Sequence, residues 1–324
     1  MSEHNLIAIE PDKQEQGISI TWQVSDVCNF RCSYCNEGNW GGKRPNNDTE
    51  HLIKQLDAII THFETQGYSC FKFFFSGGEP SFWKPMVPIA EFLHQRVKNP
   101  LLAMNTNLSS PYSWWEKHHH LFQDVVASFH IDFADPERFL KTASFLQDKT
   151  NYLALRMMMQ ENRFDEVKEF ATRVKSTMQN YALEWVPILD ELSADARPYL
   201  YTDPAKMEFF KTHGYEREEK VPKSFTPYTF PHPMEVYDNG DHQSLNSNRL
   251  VADRRNFFKG WKCRIHESLF ISIDGNIQPA SCGVGKSLGN IITGKLNLGS
   301  AAVICPKDHC PCGTDICITK HRSA

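Results

Sequence analysis

A chain of 324 residues is longer than one ordinary domain yet fits a single α/β barrel with an appendage, and its 40% hydrophobic and 23% charged content is that of an average globular protein. A formal net charge of −4 gives no electrostatic footprint for a nucleic-acid backbone, so no nucleic-acid partner is expected. No window supplies the ~20 apolar residues of a membrane span and residues 1–17 lack the apolar core of a secretion signal, which together predict a cytoplasmic protein with no membrane partner.

Residues 1–17 read as a polar extension. From there to about residue 190, short apolar runs alternate with helical patterns, the signature of a parallel sheet with crossover helices. Candidate strands lie at residues 18–25, 71–76, 101–106, 125–130, 152–158 and 183–189. Between the first two, Leu52, Ile53, Leu56, Ile59, Ile60 and Phe63 recur at helical spacing over residues 49–65, with Asn47 or Asp48 as cap. Pro136 after Asp135 marks the first turn of another helix, and capping is also the expectation for Asp132. Six β/α units follow from this count.

From 191 to 260 the periodicity decays into proline, aromatic and polar residues, read as a connector, with residues 228–237 as a candidate lid. Beyond Trp261 a strand-like run at 269–273 meets Asp274-Gly275, a strong hairpin signal, and then Ile277. Residues 261–324 therefore read as a small β-rich module.

Ten cysteines without an export signal argue for metal ligation rather than disulfides. They fall into two groups: Cys28, Cys32 and Cys35 near the N-terminus, and Cys263, Cys282, Cys305, Cys310, Cys312 and Cys317 in the last quarter. Two metal centres are implied. At C-x3-C-x2-C spacing directly after a strand, one loop can wrap three corners of a cubane and leave one iron open to a small ligand. Zinc is the alternative, but it wants a fourth protein ligand that no neighbour supplies. Cys70 reads as a small apolar residue, and His118-His119-His120 as a solvated helix end whose rings point apart.

The Cys28-Asn29-Phe30-Arg31-Cys32-Ser33-Tyr34-Cys35 loop resembles the signature of the radical S-adenosylmethionine superfamily, and Ser76-Gly77-Gly78-Glu79-Pro80 after the second strand resembles that family's second motif. The resemblance implies a partial (β/α)6 TIM-like barrel over residues 18–190, a [4Fe–4S] cluster on Cys28, Cys32 and Cys35, and S-adenosylmethionine as its ligand. By analogy Gly77, Gly78 and Glu79 would hold the methionine amino group. Tyr34, Asn105, Asn107, Ser128, His130 and Met158, most of them at strand tips, would contact the remainder of the cofactor. The implied chemistry is reductive cleavage to a 5′-deoxyadenosyl radical that abstracts hydrogen from a small metabolite or peptide. Electrons would come from a flavodoxin- or ferredoxin-type donor. No catalytic side chain is assigned.

The tail resembles the one-cluster twitch form of the SPASM extension, which implies a second [4Fe–4S] cluster on Cys263, Cys282, Cys310 and Cys312. Its Cys310-Pro311-Cys312 spacing departs from the commoner C-x2-C, and Cys305 and Cys317 are surplus. Four thiolates equally suit structural zinc. From a different class, the same cysteines could make a zinc or iron–sulfur module that senses redox state without catalysis.

Overall fold

A computed structural model of the chain describes residues 4–13, 15–35, 40–42, 48–188, 201–213, 218–220, 230–310 and 312–322. In chain order it begins with β1 (Leu6–Pro11), β2 (Gly17–Ser25), α1 (Thr49–Thr65), β3 (Cys70–Gly77), α2 (Met86–Arg96), β4 (Leu101–Thr106) and α3 (Tyr112–His118). It continues through β5 (Asp124–Phe129), α4 (Pro136–Leu146), β6 (Tyr152–Met159), α5 (Phe164–Thr177), β7 (Tyr181–Pro187), α6 (Pro204–His213) and β8 (Glu218–Lys220). The remainder comprises β9 (Pro233–Tyr237), β10 (His242–Ser244), α7 (Ser247–Ala252), β11 (Lys262–Cys263), β12 (Ser268–Ile271), β13 (Asn276–Gln278), β14 (Gly289–Asn290), β15 (Lys295–Leu296), β16 (Val303–Ile304), α8 (Gly313–Ile316) and β17 (Lys320–His321).

Strands β2 to β7 stand in sequence order in one parallel sheet, each joined to the next through a helix from α1 to α5. The local reasons are those of pattern. In β3 Phe71, Phe73 and Phe75 alternate into the core, while in α1 Leu52, Leu56, Ile59, Ile60 and Phe63 form the one buried stripe that packs on the sheet. Strand β5 is buried along its whole length, as a central parallel strand covered on both faces must be. Asp48 caps α1 by accepting from the His51 amide at 3.0 Å, and Asp135 caps α4 at Glu137 with Pro136 in its first turn. Asp132 is not a cap: its carboxylate accepts from Gln160 Nε2 at 2.7 Å and from Arg163 at 3.3 Å, tying the β5 tip to the loop after β6.

The C-terminal segment joins this sheet instead of standing apart. Strand β12 pairs in parallel with the outer edge of β2, Leu269 opposite Ile20 and Ile271 opposite Trp22, and β13, β14 and β15 extend the sheet outward. Leu269, Ile271, Ile277, Leu288 and Ile291 accordingly belong to the main core. A second, antiparallel sheet runs β10-β9-β1-β17-β11-β16 and draws both ends of the chain together. The supposed lid is divided: residues 228–229 lie outside the described residues, and Pro233–Tyr237 is β9, paired on both sides by β1 and β10.

Candidate metal centres

The cysteine loop leaves the tip of β2. Its position is set by the tip of β3, where the Gly78 and Glu79 amides donate to the carbonyls of Ser25 and Val27 at 2.7 and 2.8 Å. Gly77 makes the crossing possible. Its φ of +117° lies where L side chains are strained, and a Cβ there would stand 2.4 Å from the Ser25 carbonyl oxygen.

A cavity opens above these tips, and Cys28, Cys32 and Cys35 line it. Tyr34, Gly77, Gly78, Asn105, Asn107, Ser128, His130 and Met158 line it as well, so side chains far apart in sequence meet at the carboxyl ends of the parallel strands. Glu79 does not. It is 0% exposed, and its carboxylate accepts from Ser81 N (3.2 Å), Ser81 Oγ (2.5 Å), Thr106 Oγ1 (2.8 Å) and Asn107 N (2.7 Å). Burial raises its pKa, and its oxygens clamp the β4 tip beneath the cavity.

Around the thiols, Cys28 Sγ receives the Phe30 amide at 3.4 Å and Asn107 Nδ2 at 3.7 Å. His130 Nδ1 lies 2.8 Å from Tyr34 Oη and 3.4 Å from Cys32 Sγ, with the Tyr34 and His130 rings stacked at 5.9 Å. Burial pushes Cys28 up to about 11, and pushes Cys32 up to about 12 against the opposing hydrogen bond from Tyr34. Loss of solvent holds His130 down at about 4, so its imidazole is neutral. A soft metal centre binding here displaces thiol protons, and the donors aimed at Cys28 then stabilise thiolate charge. Three soft donors grouped on one wall of a large cavity fit an iron–sulfur cluster with room for a further ligand.

Sequence reading gave no site role to several wall residues: Phe30, Trp40, Thr106, Arg156, Val186, Pro187 and Ile188. Strand alternation carried the signal for one of them, since Arg156 lies two residues before Met158 and therefore on the same face of β6. Arg156 donates through Nε to Glu184 at 2.9 Å and is the one Lys or Arg among the described lining residues.

Four of the C-terminal cysteines line a second, smaller pocket. The antiparallel register places Cys263 opposite both Val303 and Lys320, and Cys305 follows Val303 by two residues on the same face. Cys310 arrives through a double clamp, its amide donating to Asn256 O and its carbonyl accepting from Asn256 Nδ2, both at 2.9 Å. Asp315 receives the Cys282 amide at 2.8 Å. The four thiols on this lining are thus Cys263, Cys282, Cys305 and Cys310. Cys312, the expected fourth ligand, lies outside it: the chain turns into α8 at this residue, which is the helix N-cap, and its thiol lies 3.0 Å from Thr314 Oγ1. Cys317 is exposed and donates to Gly313 O. Burial, reinforced by the Asp315 carboxylate, pushes Cys282 up to about 11; it also raises Cys263 and Cys310, with Lys320 opposing it at both.

Among the described residues no helix is long and apolar enough to cross a membrane. Curated relatives include GTP 3′,8-cyclase of Actinobacillus pleuropneumoniae serotype 5b (strain L20), 32% identical over 95 residues, which is 29% of this chain and 27% of that protein. The chain thus spans about a quarter of the length of this curated relative. Among solved structures, anSMEcpe with bound AdoMet and Cp18Cys peptide aligns with a TM-score of 0.47 at 14% identity, covering 85% of this chain and 77% of the other. Streptococcus suis SuiB bound to precursor peptide SuiA aligns at 0.48 and 12%, covering 87% and 64%. The sequence model of the Radical SAM superfamily matches residues 22–184. That span starts on β2 and ends on β7, taking in the parallel strands whose tips converge on Cys28, Cys32 and Cys35, and the chain belongs to the Radical SAM superfamily.

Proposed function

We propose that this enzyme splits S-adenosylmethionine reductively at the Cys28–Cys32–Cys35 loop and uses the resulting radical to take hydrogen from a small metabolite or peptide. The observation that carries the reading is convergence: three thiols on the loop after β2 share one cavity with the tips of the neighbouring parallel strands. When bound, a [4Fe–4S] cluster supplies the electron that divides the sulfonium into methionine and a 5′-deoxyadenosyl radical.

The chain's own part is to bind and orient. Gly77 and Gly78 bring bare backbone to the wall, where carbonyl oxygens can accept from an ammonium group. Arg156, fixed through Nε by Glu184, is the cation for a carboxylate. Asn105, Asn107 and Ser128 offer hydrogen bonds to sugar hydroxyls, and Tyr34 and Met158 offer surface to a flat base. Apolar Val186, Pro187 and Ile188 close one side and limit water around a reactive intermediate.

The second thiol-lined cavity holds an auxiliary cluster on Cys263, Cys282, Cys305 and Cys310 in this reading, and a small flavodoxin- or ferredoxin-type protein delivers electrons. Ten thiols suit a reducing, cytoplasmic compartment. The test is anaerobic: reconstituted protein with dithionite and S-adenosylmethionine should release 5′-deoxyadenosine, and the Cys28/Cys32/Cys35→Ala variant should release none. Wild-type protein loaded with iron and inert toward S-adenosylmethionine would instead favour a redox-sensing module.

A further inference from the structure

Lys320 is 2% exposed, yet among the described residues it forms no ion pair with a carboxylate. Its Nζ donates to the carbonyl oxygens of Asp315, Ile316 at 3.3 Å and Ile318 at 2.9 Å, around the end of α8. Three carbonyl acceptors require three N–H donors, which only the ammonium form possesses. The charge also lies 5.3 Å from the centroid of the Phe258 ring. Carbonyl dipoles and a ring face solvate a buried cation in part, but a full positive charge kept from water normally calls for an anion.

The fold supplies the place for one. Because β17 pairs with β11, Lys320 stands directly opposite Cys263, and it joins Cys263, Cys282, Cys305 and Cys310 on the lining of the same cavity. Asp315, whose carbonyl accepts from Lys320, holds the Cys282 loop with its carboxylate: Ser281 N donates at 3.1 Å, Ser281 Oγ at 2.9 Å and Cys282 N at 2.8 Å. The lysine and one edge of the thiol cage are therefore parts of one rigid unit.

We propose that Lys320 is the fixed counter-charge of the C-terminal cluster, a positioning residue that raises its reduction potential. The inference rests on the reading that these four thiols hold an iron–sulfur cluster. Such a cluster is anionic and gains one negative charge on reduction, so a cation held beside it in a dry site favours the reduced form. Electrons leaving a substrate radical would then be accepted more readily at this centre.

The experiment uses the full chain in the Cys28→Ala, Cys32→Ala, Cys35→Ala background, which leaves the C-terminal cluster as the only one to titrate. This background should retain about four irons per chain, the content of one [4Fe–4S] cluster. Zinc in place of iron, or no metal, would overturn both the cluster reading and the role of Lys320. With iron present, Lys320→Met and Lys320→Gln should each lower the reduction equilibrium about tenfold, ~59 mV for a one-electron couple, in an EPR-monitored potentiometric titration. Lys320→Arg should stay near the parent. An unchanged potential in both neutral variants would overturn the proposal and leave the cluster reading standing. Should the neutral variants lose their iron, retention by Lys320→Arg supports the requirement for charge, and loss in Lys320→Arg as well reduces the residue to a packing role and overturns it.

Discussion

The carboxylate of Glu79 accepts hydrogen bonds from Ser81, Thr106 and Asn107 at a point no solvent reaches, so its removal leaves several buried donors unpaired. Each unpaired buried donor costs ~1–3 kcal/mol, and Glu79→Ala should lower unfolding stability by at least ~2 kcal/mol alongside any loss of deoxyadenosine release. A residue that only touched the ligand would change turnover and leave the urea midpoint alone. His130 makes a second prediction at this scale. Desolvation holds its imidazole at about 4 against an ordinary 6.5, so below pH 6.5 the unfolded chain takes up a proton that the folded chain refuses. Its contribution is complete above pH 6.5 and is lost as pH falls toward 4. Urea midpoints of iron-free protein between those limits should decline, and His130→Asn should flatten the slope.

The β3 tip meets the β2 tip at close quarters. Gly77→Ala puts a methyl group against the Ser25 carbonyl and an L side chain at φ of +117°, a strain of ~1–3 kcal/mol before the clash is counted. Both deoxyadenosine release and melting temperature should fall, because the same crossing positions the cysteine loop. The N-cap of α1 offers the contrast. Asp48→Ala removes the acceptor for the His51 amide and should cost ~1 kcal/mol in melting experiments with turnover at saturating cofactor unchanged. Helix and sheet boundaries in this half follow local pattern closely: α1 spans the expected 49–65, and β4 the expected 101–106.

For the whole molecule, the edge of β2 is the point of dependence. Strand β12 covers it, and Leu269, Ile271, Ile277, Leu288 and Ile291 fill the core on that side, so the C-terminal segment also completes the sheet that carries the N-terminal cysteine loop. Deleting residues 261–324 would bare a long hydrophobic strand edge and strip β17 from β1. The truncated chain should aggregate, read as a loss of soluble protein in sedimentation, instead of persisting as a folded remainder.

The order of β/α units, the N-terminal cysteine loop and most of the strand-tip residues were legible in the sequence because they depend on short-range causes: period-two and period-3.6 burial, close thiol spacing, and a glycine pair after an apolar run. Other features needed contacts between distant segments. That Glu79 faces inward depends on where the β4 tip arrives. That Cys305 lines the second cavity while Cys312 lies outside it depends on β16 aligning beside β11 and on the chain turning into α8 at Cys312. The parallel docking of β12 on β2 and the placement of Lys320 over the thiols follow from strand register across some 250 and 57 residues respectively. Spacing along a chain fixes which side chains can share one loop or face, whereas which separate loops share one cavity is decided by packing of the whole core.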